Sequence, residues 1–218
     1  RRGTLRALDD ISFSIAPGEI LGVVGESGAG KSLTGASIIG LLEPPGRIAS
    51  GQVLLQGQRI DNLPNAAMRL VRGRKIGAIF QDPLTSLNPL YSIGKQLTET
   101  IQTHLPVNDA EARQRAIDLL KSTGIQAAEE RMAHYPHQFS GGMRQRVMIA
   151  MALAAEPQLI VADEPTTALD VSIQAQIITL LKTLCKERGA AVMLITHDMG
   201  VIAETCDRVA VMYAGRIV

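Results

Sequence analysis

The chain has no tryptophan, and aromatic residues make up only 3% of its 218 residues. Its core must therefore be built from aliphatic side chains. The densest basic stretch, Arg69 to Lys75, is short and has no interleaved aromatics on which bases could stack. It reads as a solvated face, and with a formal net charge of +1 no nucleic-acid partner is expected. Cys185 and Cys206 are the only cysteines; they lack CxxC spacing and offer no disulfide framework, as expected of reduced thiols in the cytosol. The longest purely apolar run, from Val147 to Ala155, falls well short of the ~18 residues that would span a membrane. The chain is not expected to cross a bilayer by itself. It begins at Arg1 without a signal-peptide pattern and stops at Val218 just after a strand-like run, which is expected of a fragment of a longer subunit.

What is present is a composition of 46% apolar and 20% charged residues, enough for one sizeable core with a smaller inserted lobe. Ile11 to Ile15 alternates apolar and polar side chains, Pro17 and Gly18 mark a turn, and Ile20 to Val24 is nearly continuous apolar sequence. These read as two strands, the second buried. A helical pattern from Lys31 to Leu42 ends at Glu43-Pro-Pro-Gly46, and Gly51 to Leu55 and Ile76 to Phe80 are further strand candidates. From about Ile93 to Met132 the residues favour helix, and another helix runs from Gly142 to about Ala155. The strand Leu159 to Ala162, the helix Ile173 to Glu187 and the strand Ala191 to Ile195 follow. Buried strands alternating with helices imply a mostly parallel α/β sheet covered on both faces. The expected division is a core over 1–84 and 156–218 with a helical subdomain over 85–155.

Gly25-Glu-Ser-Gly-Ala-Gly-Lys-Ser32 matches GxxxxGK[ST], and it follows a buried strand and opens a helix, as this motif requires. Its glycines let successive N–H groups turn toward one point, the helix start adds its positive dipole end, and Lys31 can reach outer phosphates. Gly25, Glu26, Ser27, Gly28, Ala29, Gly30, Lys31 and Ser32, with Leu33 next in the helix, are therefore the expected nucleotide-binding residues, and Ser32 the first ligand for magnesium. Asp163 and Glu164 close the apolar run that begins at Leu159. Adjacent acids on opposite strand faces can divide two tasks, Asp163 holding the metal and Glu164 orienting the attacking water. Ser140-Gly141-Gly142 precedes a helix for which Ser140 is a natural N-cap; beyond a plain capped helix, the two glycines bare N–H groups at its start and also make a second anion site, one that suits a partner's nucleotide. His104, His134 and His137 lack zinc-ligand spacing and read as loop residues.

Phe139-Ser-Gly-Gly-Met-Arg-Gln-Arg146, lying just before the paired acids, resembles the signature sequence of ABC ATPases. Phe139 and Met143 stand where that family often has Leu and Gln. Gln81 after the Ile76 to Phe80 strand resembles the Q-loop, Ala168-Leu-Asp170 the D-loop, and His197 the switch histidine, so the resemblance covers essentially the whole chain. It implies a P-loop ATPase core, a helical subdomain and a small N-terminal antiparallel β region, with ATP and Mg2+ as cofactors. Glu164, His197 and Gln81 become the expected catalytic residues, with Gln81 also beside the metal. Two subunits are expected to meet head to tail, each Ser140 to Gly142 facing the other's P-loop. The adenine-stacking aromatic is expected ahead of Arg1, since Phe13 lies close to the P-loop.

Phe80 to Pro89 and Asp163 to Ser172 are similar to the version found in importers of dipeptides and oligopeptides, and of nickel in a sister branch. The resemblance thus implies peptide uptake at the cytoplasmic face of the membrane, with permease subunits and an external solute-binding protein as partners. A nickel importer and a soluble ABC ATPase are the alternatives.

Overall fold

In the computed structural model, residues 5–82, 86–167 and 169–218 are described. Residues 83–85 of the Q-loop-like segment and Ala168 of the D-loop-like segment lie outside them. The strands are β1 (Ile20–Gly25), β2 (Leu54–Leu55), β3 (Gln58–Arg59), β4 (Ile76–Ile79), β5 (Leu159–Asp163), β6 (Ala191–Ile195), β7 (Arg208–Tyr213) and β8 (Arg216–Ile217). The helices are α1 (Lys31–Ile38), α2 (Asn65–Val71), α3 (Ile93–His104), α4 (Asp109–Ser122), α5 (Ala128–Arg131), α6 (Gly141–Leu153), α7 (Val171–Arg188) and α8 (Met199–Thr205).

The main sheet runs β4-β5-β6-β1-β7-β8 and is parallel except at β8. Alternation along its strands divides two apolar cores, because successive side chains point to opposite faces. Ile160, Ala162, Val192 and Leu194 pack with the α3 to α7 layer, whereas Leu159, Val161, Met193 and Ile195 pack on the other face with Met68 and Val71 of α2. Strands buried on both faces are why these segments read as unbroken apolar runs. Ile93, Leu97 and Ile101 recur every fourth residue on α3, and Ala112, Ala116 and Leu120 do so on α4; all six are fully buried. The alanines let the two helices approach closely, and truncating any of the large side chains costs about 2–5 kcal/mol.

The parallel strands place four carboxyl ends along one edge of the sheet. β1 delivers Gly25, β4 leads to Gln81, β5 delivers Asp163 and Glu164, and β6 leads to His197. In open α/β sheets ligands bind at this edge.

Ile11 to Ile15 is not a strand; Ile11 and Ile15 pack partly against the core, but no neighbouring strand among the described residues offers a ladder. The small antiparallel sheet instead pairs Leu54 and Leu55 with Arg59 and Gln58, around Gln56 and Gly57, both at positive φ as a tight hairpin turn demands. The Arg69 to Lys75 stretch is not simply a solvated face. Arg72 donates to the carbonyls of Ile39 (2.8 Å) and Gly40 (2.6 Å) beyond the end of α1, and Arg74 donates to Ala155 (2.7 Å) beyond the end of α6. Both satisfy carbonyls that lie just past a helix end. His104 is likewise the last residue of α3, set against Gly73.

Candidate active site

Gly25 ends β1 opposite Met212 of β7, with φ 151°, and a Cβ there would stand 2.1 Å from the Met212 carbonyl oxygen. Only glycine lets the chain leave the sheet at this point. Gly30, at φ 99°, heads α1 without a side-chain cap, so the first-turn N–H groups have no local side-chain acceptor. That is the arrangement by which a helix start receives an anion. Lys31 is 7% exposed, and its Nζ donates to the carbonyls of Gly25 (2.8 Å) and Glu26 (2.9 Å). The ammonium thus closes the loop on itself. Ser27, Gly28, Ser32 and Leu33 are exposed along the same turn, and Ala29 is buried behind it.

Ser32 Oγ donates to Asp163 Oδ1 at 3.0 Å, joining the start of α1 to the end of β5. Burial raises Asp163 above the usual carboxylate range, and the neighbouring Glu164 charge adds to this, while the Ser32 hydrogen bond and Lys31 pull the other way. A hydroxyl and a carboxylate in contact, the latter paying for burial of its charge, are oxygen donors suited to a hard divalent cation, which would relieve that cost.

Glu164 follows in the left-handed region at φ 47°, a conformation that costs a non-glycine residue about 1–3 kcal/mol. The turn is held by its N–H donating to Ile195 O (2.9 Å). It swings the carboxylate into a cluster. Oε2 accepts from Thr167 Oγ1 (2.7 Å) and Gln81 Nε2 (3.3 Å), and Oε1 lies 3.4 Å from His197 Nδ1. Three side chains from three different strand ends therefore converge on one partly buried carboxylate. Sequence reasoning missed Thr167; the available signal was a hydroxyl residue three positions after the acid, within reach across a turn.

Ser140 caps α6, accepting from Met143 N at 3.3 Å. A Cβ on Gly142 would stand 2.8 Å from Ile173 Cγ2, so this glycine lets the start of α7 lie against the start of α6. Asp170 caps α7 through Ile173 N (3.0 Å). Among the described residues no hydrogen bond links Ser140, Gly141 or Gly142 to the loop at 25–33.

The ABC transporter family model matches residues 8–167. The chain is 53% identical over 214 residues to the probable peptide ABC transporter ATP-binding protein y4tR of Sinorhizobium fredii, which covers 98% of this chain and 64% of that protein. It is 52% identical over 217 residues to the oligopeptide transport ATP-binding protein OppD of Bacillus subtilis, 99% of this chain and 61% of that one. The chain thus spans less than two thirds of the length of these two relatives. Among solved structures, a dimeric post-hydrolysis state of the ATP-binding cassette MJ0796 bound to ADP and Pi superimposes with a TM-score of 0.84 at 33% identity, covering 97% of this chain and 88% of that one. With the family model matching most of its length, the chain belongs to the ABC transporter family.

Proposed function

We propose that this chain binds ATP with Mg2+ and hydrolyses it, as one of two ATPase subunits driving import of di- and oligopeptides. The observation that carries the reading is the gathering of Gln81, Thr167 and His197 within 3.4 Å of Glu164, on the sheet edge that also presents the Lys31 loop.

ATP is the substrate of residues 25–33. Lys31 gives up the Gly25 and Glu26 carbonyls for the outer phosphates, and the N–H groups at the start of α1 meet the remaining oxygens. Ser32, Asp163 and Gln81 would hold Mg2+, which when bound neutralises phosphate charge and orients the leaving group. Glu164 takes a proton from the water that attacks the γ-phosphorus, as the bond to the β–γ bridging oxygen breaks and ADP departs. Gln81 and Thr167 hold the Glu164 carboxylate in aim, and His197 donates to a γ-phosphate oxygen as charge develops there.

In this reading Ser140 to Gly142 of each subunit completes the other's site, which supports a head-to-tail dimer; the dimeric MJ0796 cassette is in keeping with it. The names of relatives about 50% identical, dipeptide and oligopeptide ATP-binding proteins, support the peptide solute. Among the described residues no helix is long and apolar enough to cross a membrane. Attachment to the cytoplasmic face through permease subunits, fed by an external solute-binding protein, completes the proposal. It is tested by measuring uptake of a labelled dipeptide and of nickel, side by side, in source cells carrying the intact protein or its Glu164→Gln form. Selective loss of dipeptide uptake supports the reading; selective loss of nickel uptake moves the solute to the sister branch. If neither changes, the solute assignment is wrong and the soluble ABC ATPase alternative gains ground.

A further inference from the structure

His197 is held loosely for a residue assigned to the reacting phosphate. Its side chain is 69% exposed, and its Nδ1 lies 3.4 Å from Glu164 Oε1. A ring so placed takes its aim from the backbone on either side. On one side Thr196 is 4% exposed, its N–H reaches Val23 O at 3.4 Å, and its Oγ1 accepts from Asp198 N at 3.1 Å. On the other side both carboxylate oxygens of Asp198 are engaged. Oδ1 caps α8 through Gly200 N (2.8 Å) and Val201 N (3.2 Å), and Oδ2 accepts from Gln174 Nε2 at 2.7 Å.

The geometry points to Gln174 as a positioning residue for His197, acting through Asp198; this rests on the hydrolytic role proposed above. The cap bonds join Asp198 only to its own helix, so they orient α8 and Asp198 as a unit. The Gln174 bond joins that unit to a separate element, α7, and it is a short bond to an ionised acceptor, the stronger class. Gln174 is well placed to transmit position. It lies in the first turns of α7, next to the Asp170 cap, and its own N–H donates to Asp170 O at 2.9 Å. Two residues on, and so on the opposite side of the helix, Gln176 Oε1 accepts from Arg146 Nη2 at 3.1 Å. Arg146 belongs to α6, the helix that Ser140 caps. One rigid helix therefore grips the signature helix with one amide and the His197 segment with another.

The test uses steady-state ATP hydrolysis by the full-length protein. Gln174→Met keeps the length of the side chain at a partly exposed site while deleting the donor. It is expected to lower kcat about ten-fold, the scale of a small displacement of a catalytic group, with KM for ATP unchanged within about two-fold. In a His197→Ala background the same substitution is expected to cost nothing further, because the group it positions is gone. Asp198→Asn, whose oxygen still caps α8 while its amide can donate to the Gln174 carbonyl, should keep most of the activity. A Gln174→Met kcat within two-fold of wild type overturns the inference. So does an equal loss in the His197→Ala background, which would make Gln174 a stabiliser of the fold. Absence of turnover by the unmodified protein overturns the hydrolytic reading and this role with it, whereas an active wild type beside an unaffected Gln174→Met overturns this role alone.

Discussion

Replacing Glu164 by glutamine removes the proposed proton acceptor while keeping its shape. The carboxylate makes three contacts, to Thr167 (2.7 Å), Gln81 (3.3 Å) and His197 (3.4 Å). Glutamine's oxygen in the place of Oε2 can keep both the Thr167 and the Gln81 hydrogen bonds, and its NH2 then stands at Oε1, facing His197 Nδ1. The expected cost to stability is about one hydrogen bond, ~1 kcal/mol. The cost to chemistry is far larger: loss of general-base catalysis lowers kcat by about 10²–10⁴, or ~3–5 kcal/mol of barrier. Nucleotide affinity should stay within about three-fold, because Lys31 and the start of α1 are untouched and one charge that disfavours ionised Asp163 is gone. Single-turnover hydrolysis of labelled ATP, with binding measured by calorimetry, separates the two effects. Turnover within about three-fold of wild type, with binding intact, would refute Glu164 as the base.

Gly25→Ala places a Cβ 2.1 Å from the Met212 carbonyl oxygen, in a sheet where neither strand can retreat; it should cost about 3 kcal/mol or more in urea unfolding and abolish ATP binding. Asp207 is held below the usual carboxylate range, first by the Ile20 N–H (2.9 Å) and then by Lys186. Its folded pKa lies below the unfolded value, so its ionisation contributes stability that is present above about pH 4 and lost as the pH falls through the folded value. Asp207→Asn should accordingly be less stable than wild type at neutral pH, with the difference fading in acid. Burial pushes the Cys185 thiol up to about 12 and Cys206 to about 11. Neither should react with iodoacetamide in the native protein at pH 8, and both should react in urea.

Local chemistry was readable directly. The loop at 25–33 carries its signal in contiguous residues, because one tight turn between a strand and a helix needs glycines and a lysine at set spacing. β1, β5 and β6 were legible to within a residue at either end, since strands buried on both faces leave unbroken apolar runs. Ser140 was legible as the cap of α6, for a cap acts within one helical turn.

Whatever depends on a neighbour distant in sequence was decided only by the tertiary structure. Ile11 to Ile15 has the alternation of a strand, but a strand exists only where another offers its ladder. Arg72 and Arg74 read as surface charges, yet their guanidinium groups find helix-end carbonyls 33 and 81 residues away. The meeting of Gln81 with Glu164 spans 83 residues, and that of Gln174 with Asp198 spans 24. The order of strands in the sheet brings these residues together, and no spacing along the chain encodes that order. The sequence by itself determined which groups could handle a phosphate and which segments had to be buried; the parallel sheet decided that their carboxyl ends would lie side by side, and so which groups would touch.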